Sequence, residues 1–191
     1  MADSMTSNDP RALVLLAEGA EEMEVTIIVD VLRRAAVEVV LAGIAGADPV
    51  TCSRGVRIVP DRALASVDGD FEMVVLPGGL DGTNALAESS EVGALLHAQF
   101  AAGRPIAAIC AAPMALARHG VGAGLAMTCH PSVEDAVAGH GSVTVGRVVE
   151  TPPLITSQGP GTAFEFVLAL VTRLKGVAVA AKVREPMILP G

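Results

Sequence analysis

RALVLLAEGAEEMEVTIIVDVLRRAAVEVVLAGI, residues 11–44, decides the fold. Residues 11–17 are an apolar run of strand length. Residues 19–36 space their apolar side chains by three and four and carry Arg33 and Arg34 in the last turns, as a helix does. Residues 37–44 return to a nearly unbroken apolar run. Strand, helix and strand in such close succession make the unit of a parallel sheet, because parallel neighbours can be joined only by a crossover.

The rest of the chain repeats the alternation. FEMVVLPGG (71–79) reads as a strand entering a glycine turn, and PIAAI (105–109) as a short buried strand. Residues 141–158 supply further strands, and 51–64 form an extended excursion. Helices are expected over 88–103, 111–120 and 162–176, with a short one over 132–139. Thr162 followed by Glu165 reads as a capping box, and Gly176 as a C-terminal stop. The expected architecture is a three-layer α/β sandwich with a mostly parallel sheet.

Composition sets limits on function. The chain has 191 residues, 51% of them hydrophobic and 2% aromatic, so its core is built from aliphatic side chains and Met. That length fits a single domain over 11–191, preceded by a disordered polar tail over 1–10, MADSMTSNDP, that lacks the apolar core of a signal peptide. A net charge of −8 argues against a nucleic-acid partner, and no apolar run is long enough to span a membrane. Cys52, Cys110 and Cys129 fit neither a disulfide framework nor a metal site, which points to reduced thiols in a cytoplasmic protein with no metal.

Cys110 stands apart from the other two. In AAICAAP it falls where a strand gives way to a helix, at the carboxyl end of the sheet, where α/β proteins place their sites. Such an elbow exposes a side chain, and the small Ala111 and Ala112 suit the turn. The helix N-terminus is expected to lower the thiol pKa. Position alone leaves a structural cysteine equally open. Glu24 tips the balance toward function. On the first helix it shares a face with Ile27, Ile28, Val31 and Ala35, so an acid sits among core residues, where burial would raise its pKa. Glu21 and Glu22 read instead as first-turn charges favouring the helix dipole. Gly78 and Gly79 let the backbone approach a ligand, and their amides, with that of Ala111, could bind an oxyanion. His130, in MTCHPS at a strand end, is a candidate acid or base, whereas His97, His119 and His140 read as surface or loop positions.

Taken in order, RALVLLAEGAEEMEVTIIVDVLRRA, DPVTCSR, VVLPGG, AAICAAP, TCHPS, TSQGPGTAFEF and VAAKVREPMIL resemble the Parkinson disease protein 7 family of the PfpI superfamily, from about residue 11 to the end. The resemblance implies a flavodoxin-like α/β/α sandwich and a homodimer with Arg34 and Arg54 near its interface. It implies a catalytic set of Cys110, Glu24 and His130, with Gly79 and Ala111 holding an oxyanion. The activity it implies is a cofactor-independent glyoxalase, turning methylglyoxal into lactate without glutathione, or a protein deglycase acting on glycated groups. The alternative is a redox-sensing, chaperone-like protein of oxidative stress that works through oxidation of Cys110. The chain departs from the family's pattern at three places. Ala112 and Gln158 stand where a glycine and an arginine are usual, and Val59 where some members have a second cysteine. Related proteases have a histidine after the nucleophile, where Ala111 stands here.

Overall fold

The computed structural model describes residues 9–189. Seven strands form one sheet in the order β10-β11-β7-β6-β1-β2-β5, and β1 (Arg11–Leu16), β2 (Glu38–Gly43), β5 (Arg62–Ala63), β6 (Met73–Leu76), β7 (Ile106–Ile109) and β11 (Leu154–Ser157) run parallel. Only β10 (Val148–Thr151) is antiparallel, paired with β11. β3 (Val50–Thr51) and β4 (Arg57–Ile58) make a separate hairpin, and β8 (Ala126–Met127) pairs with β9 (Ser142–Val143).

Side-chain alternation in β1 divides the core into two layers. Ala12, Val14 and Leu16 face one side and pack with Ile28 and Leu32 of α1 (Glu22–Arg34), Phe166 and Leu170 of α6 (Ala163–Lys175) and Val183 of α7 (Val177–Arg184). Leu13 and Leu15 face the other, against Leu86 of α2 (Leu80–Glu88), Leu96 of α3 (Ser90–Ala101), Leu116 of α4 (Pro113–Arg118) and Val137 of α5 (Glu134–Ala138). Burial on both faces explains why the strands read as continuous apolar runs. Each fully buried Leu or Ile contributes about 1.5–3 kcal/mol by leaving water. The expected flavodoxin-like α/β/α sandwich is the observed fold.

The structure adds to the sequence reading and corrects it. α2 was not expected, because LDGTNALAE carries Gly82, Thr83 and Asn84, poor helix formers. It forms there because Gly82 packs against the β1–α1 turn, where a Cβ would come within 2.8 Å of Ala20 Cα. α7 was also not expected. The capping box is wrong: Thr162 does not cap α6 with its side chain, and Glu165 pairs with Arg147 at 2.7 Å. Gly176 does end α6, at a positive φ of 88°. Residues 1–8 of the expected tail lie outside the described residues. Asp9 and Pro10 are held, Asp9 by Lys175 at 2.8 Å and the Pro10 carbonyl by the Glu38 amide.

Candidate active site

The parallel strands β1, β6 and β7 end side by side, so the turns that follow them converge. Cys110 follows β7 directly, with φ at +64°, one of three non-glycine residues with positive φ among the described residues. That conformation costs an L-residue roughly 1–2 kcal/mol and turns the side chain out of the strand, as the elbow reading requires. The turn is held by the Cys110 amide on the Ser157 carbonyl (2.9 Å) and by the His130 amide on the Cys110 carbonyl (2.8 Å). Cys110 is half-buried, while Cys52 and Cys129 are buried.

Glu24 lies in the first turn of α1 and is fully buried. Its backbone amide donates to the Glu21 carboxylate (2.8 Å), which caps the helix. Its Oε2 accepts the Gly78 amide at 2.7 Å, and its Oε1 has no hydrogen-bond partner among the described residues. Burial pushes its pKa up to about 7, against the Gly78 amide and helped by the Glu21 charge; the Cys110 thiol is the remaining group it interacts with. The thiol is pushed up to about 12, by burial first and then by the Glu24 charge. The amides of Gly79 and Ala111 point at the sulfur and pull the other way. The expectation that a helix N-terminus lowers this thiol is therefore corrected. Loss of solvent and the neighbouring Glu24 carboxylate raise it, against the amides of Gly79 and Ala111 just ahead of the six-residue α4. The resting arrangement is a thiol next to a carboxyl that titrates near neutrality.

Both glycines are needed for this approach. Gly79 has φ +87°, and a Cβ on it would come within 2.3 Å of the Gly19 carbonyl. A Cβ on Gly78 would lie 2.5 Å from Cys110 Cβ and 2.8 Å from Glu24 Oε2. The expected oxyanion role of Gly78 is corrected, because its amide is committed to Glu24 and its carbonyl to the Glu21 amide. The amides of Gly79 and Ala111 remain beside the sulfur.

His130 follows β8 on the solvent side of the site. The Ser132 amide donates to its Nδ1 (3.2 Å), and Ser132 Oγ lies 2.8 Å from the same nitrogen. Cys110 and His130 line one cavity of about 390 Å³ with Gly79, Glu21, Ser53 and Arg54. Arg54 is thus at the site. Arg34 is not: it ends α1 and binds Asp30 at 2.6 Å, whereas the Arg54 amide binds Glu22 at the helix's first turn.

Glu22 was underestimated as a dipole charge. It is buried and accepts the Ser53 hydroxyl and the Arg54 amide, each at 2.8 Å, so it ties the β3–β4 hairpin to the cavity wall. Burial raises its pKa, but the hydrogen bonds outweigh burial and leave it below the ordinary glutamate value. Its spacing of three from Val25 was the available signal. Ser53, Ser132 and Gly159 lie within DPVTCSR, TCHPS and TSQGPGTAFEF, but nothing in those stretches marks them individually as site residues.

Fold and site together define a class: a parallel α/β sandwich with a cysteine on a strand–helix elbow and a buried carboxyl beneath it. Residues 10–173 match the DJ-1/PfpI family, and the chain belongs to that family. It is 50% identical to the Parkinson disease protein 7 homolog of Danio rerio over 94% of this chain and 97% of that one. It is 42% identical to the glutathione-independent glyoxalase DJR-1.2 of Caenorhabditis elegans, covering 93% of this chain and 96% of that one. The crystal structure of Drosophila melanogaster DJ-1beta superposes with a TM-score of 0.94 at 48% identity, over 96% of this chain and all of that one.

Proposed function

We propose that this chain converts methylglyoxal and related 2-oxoaldehydes to 2-hydroxy acids without glutathione, with Cys110 as nucleophile. The observation that carries the reading is a half-buried thiol on a strained elbow, coupled to a buried carboxyl whose pKa is about 7. A carboxyl of that basicity suits proton transfer from a thiol near neutral pH. Glu24 takes the thiol proton as Sγ bonds to the aldehyde carbon, and the developing alkoxide is met by the amides of Gly79 and Ala111. Protonation gives a hemithioacetal. A proton then leaves the former aldehyde carbon to form an enediol and returns to the neighbouring carbon, carried by Glu24 and His130. The product is a thioester of the 2-hydroxy acid. Water cleaves its C–S bond, releasing the acid and restoring the thiol. The aldehyde carbon is oxidised as the ketone carbon is reduced, so one water is consumed and no external electron acceptor is needed. Removal of the same aldehydes from glycated amines or thiols would reach the same hemithioacetal, as Sγ bonds to the former aldehyde carbon and the amine or thiol leaves it carrying the thiol proton.

The similarity to a glyoxalase-named relative supports the reading. The decisive test is lactate formation from methylglyoxal by the purified reduced protein and by Cys110→Ala; equal rates in the two would sink it. A second reading, oxidation of Cys110 to a sulfinate as a redox signal, draws on the greater exposure of this thiol than of Cys52 and Cys129. Peroxide-dependent mass gain at Cys110, with no lactate formed, would favour it. For assembly, the reading is a homodimer through the face of α1 and the β3–β4 hairpin, where Met23, Val56 and Val59 are half or more exposed. Light scattering that gives a monomer at micromolar concentration would rule that out.

A further inference from the structure

Thr162, which fails to cap α6, has its hydroxyl engaged elsewhere. Its Oγ1 lies 2.7 Å from Ser157 Oγ and 2.8 Å from the Gly159 carbonyl, and accepts the Gly159 amide at 3.1 Å. Ser157 ends β11; its carbonyl accepts the Cys110 amide, and its Oγ lies 2.6 Å from the Arg147 carbonyl. Both residues are buried. Arg147 Nη2 adds a bond to the Gly161 carbonyl at 2.8 Å. The turn between β11 and α6 is thus pinned from both flanks, and its innermost point is Gly159. A Cβ built on Gly159 would stand 3.5 Å from His130 Cδ2 and 4.0 Å from Cys110 Sγ, so this backbone forms a wall beside both the thiol and the imidazole.

We propose that the buried Ser157–Thr162 hydroxyl pair positions Gly159 against the Cys110 sulfur, and so sets both access to the thiol and the geometry in which it reacts. The alternative, that the pair only fills space, leaves its polarity unexplained. Two hydroxyls are costly to bury unless each hydrogen bond is made. An apolar pair of similar volume would pack there without needing a fixed turn. What the hydroxyls add is direction. They lock the Gly159 amide and carbonyl to the strand that also receives the Cys110 amide, so elbow and wall share one anchor. The pair is also unequal. Thr162 holds both polar groups of Gly159, whereas Ser157 reaches Gly159 only through Thr162. Its two hydroxyl protons serve three oxygen contacts, to Arg147, to Gly159 and to each other, so loss of Ser157 leaves the Thr162 bonds to Gly159 in place.

The test reads Cys110 directly, by the rate of iodoacetamide alkylation mapped by mass spectrometry on the full chain, with thermal melting beside it. Thr162→Val should alkylate about threefold or more faster, because the wall no longer holds, while kcat falls about tenfold with KM little changed. Thr162→Ser, which keeps the hydroxyl, should restore both, and Ser157→Ala should have the smaller effect. Gly159 has extended backbone and room for a methyl group. Gly159→Ala should therefore keep the melting temperature and slow alkylation about threefold, since the methyl contacts the sulfur. A Thr162→Ser as altered as Thr162→Val, or a Gly159→Ala that alkylates at the wild-type rate, overturns the proposal. If Thr162→Val does not fold, the Gly159→Ala arm decides. Only the kcat arm rests on the glyoxalase reading. Absence of lactate from the wild type would overturn that reading, and the alkylation rates would still decide the positioning role.

Discussion

Acids at the amino end of the sheet and the two buried acids of α1 at its carboxyl end are held in opposite ways. At the amino ends of the strands, acids sit in water opposite cations: Glu38 with Arg11 at 3.3 Å, Asp70 with Arg104 at 3.1 Å, Asp9 with Lys175 at 2.8 Å. At the carboxyl ends, Glu22 and Glu24 are buried and bind amides and a hydroxyl instead of cations. Within that second pair the outcome depends on depth of burial and on the number of donors. Glu22 is the less deeply buried and receives enough hydrogen bonds to hold its charge; Glu24 is fully buried, has only the Gly78 amide and the Cys110 thiol as donors, and is pushed up to about 7. A carboxylate becomes a proton carrier when burial exceeds its supply of donors.

The contrast can be broken by mutation, and the largest effect belongs at the elbow. Cys110→Ala should remove lactate formation by three or more orders of magnitude, about what loss of a nucleophile costs, while the circular dichroism stays native. Residual turnover within tenfold of wild type would mean that another group attacks.

Next is Glu24→Gln, which keeps the shape and the Gly78 bond but cannot exchange a proton. It should cost about 10²–10⁴ in kcat, the range of general acid–base catalysis. In the wild type kcat/KM should rise with pH through about 7, as Glu24 becomes the carboxylate that accepts the thiol proton, and Glu24→Gln should lack this limb. An identical pH profile in both would assign the limb to another group.

The same residue makes a stability prediction. The folded pKa of Glu24 is raised from 4.5 to about 7, so the folded state holds this proton more tightly than the unfolded chain. Its contribution is full below pH 4.5 and is lost as pH rises through 7, on the order of 3 kcal/mol over that window. Urea titrations at pH 4.5 and 7.5 should show a steeper loss in the wild type than in Glu24→Gln.

Glu22→Gln tests the buried acid that stays charged. An amide group would face the Ser53 hydroxyl or the Arg54 amide with a donor, at about 1–3 kcal/mol, and KM should rise as the hairpin wall loosens. An unchanged KM would reduce Glu22 to a stability role. At the far end of the sheet, Glu38→Gln should cost less than about 1 kcal/mol, because the pair is exposed and Arg11 keeps its bond to the Asp70 carbonyl and its stacking on Phe71. It should leave turnover untouched.

Much of this was legible along the chain. The β1–α1–β2 unit, the strand ends at Leu76 and Ile109, the elbow at Cys110 and the core-facing acid at Glu24 follow from local periodicity, and a local pattern survives folding when the core rewards it. α2 was not legible, because its helix depends on Gly82 nesting against Ala20, a contact 62 residues away in sequence. Thr162 was misread for a similar reason. The Ser/Thr-x-x-Glu spacing was present, but Ser157 and Gly159 offered its hydroxyl nearer partners, and Arg147 drew Glu165 away.

The sequence by itself determined the parallel sandwich, the thiol at its carboxyl edge and the identity of the acid beneath it, because strand alternation and helix spacing dictate which side chains turn inward. Only the tertiary structure decided the charge states. The helix terminus predicted an acidic thiol, yet burial and the Glu24 charge push it up to about 12. Glu22 and Glu24, two positions apart on one helix, separate because Glu24 is the more deeply buried, and because the β3–β4 hairpin supplies donors to Glu22 while the Gly78 turn gives Glu24 a single amide. Desolvation and hydrogen bonding are set by what the whole chain brings to a point in space, and no reading along one segment contains them.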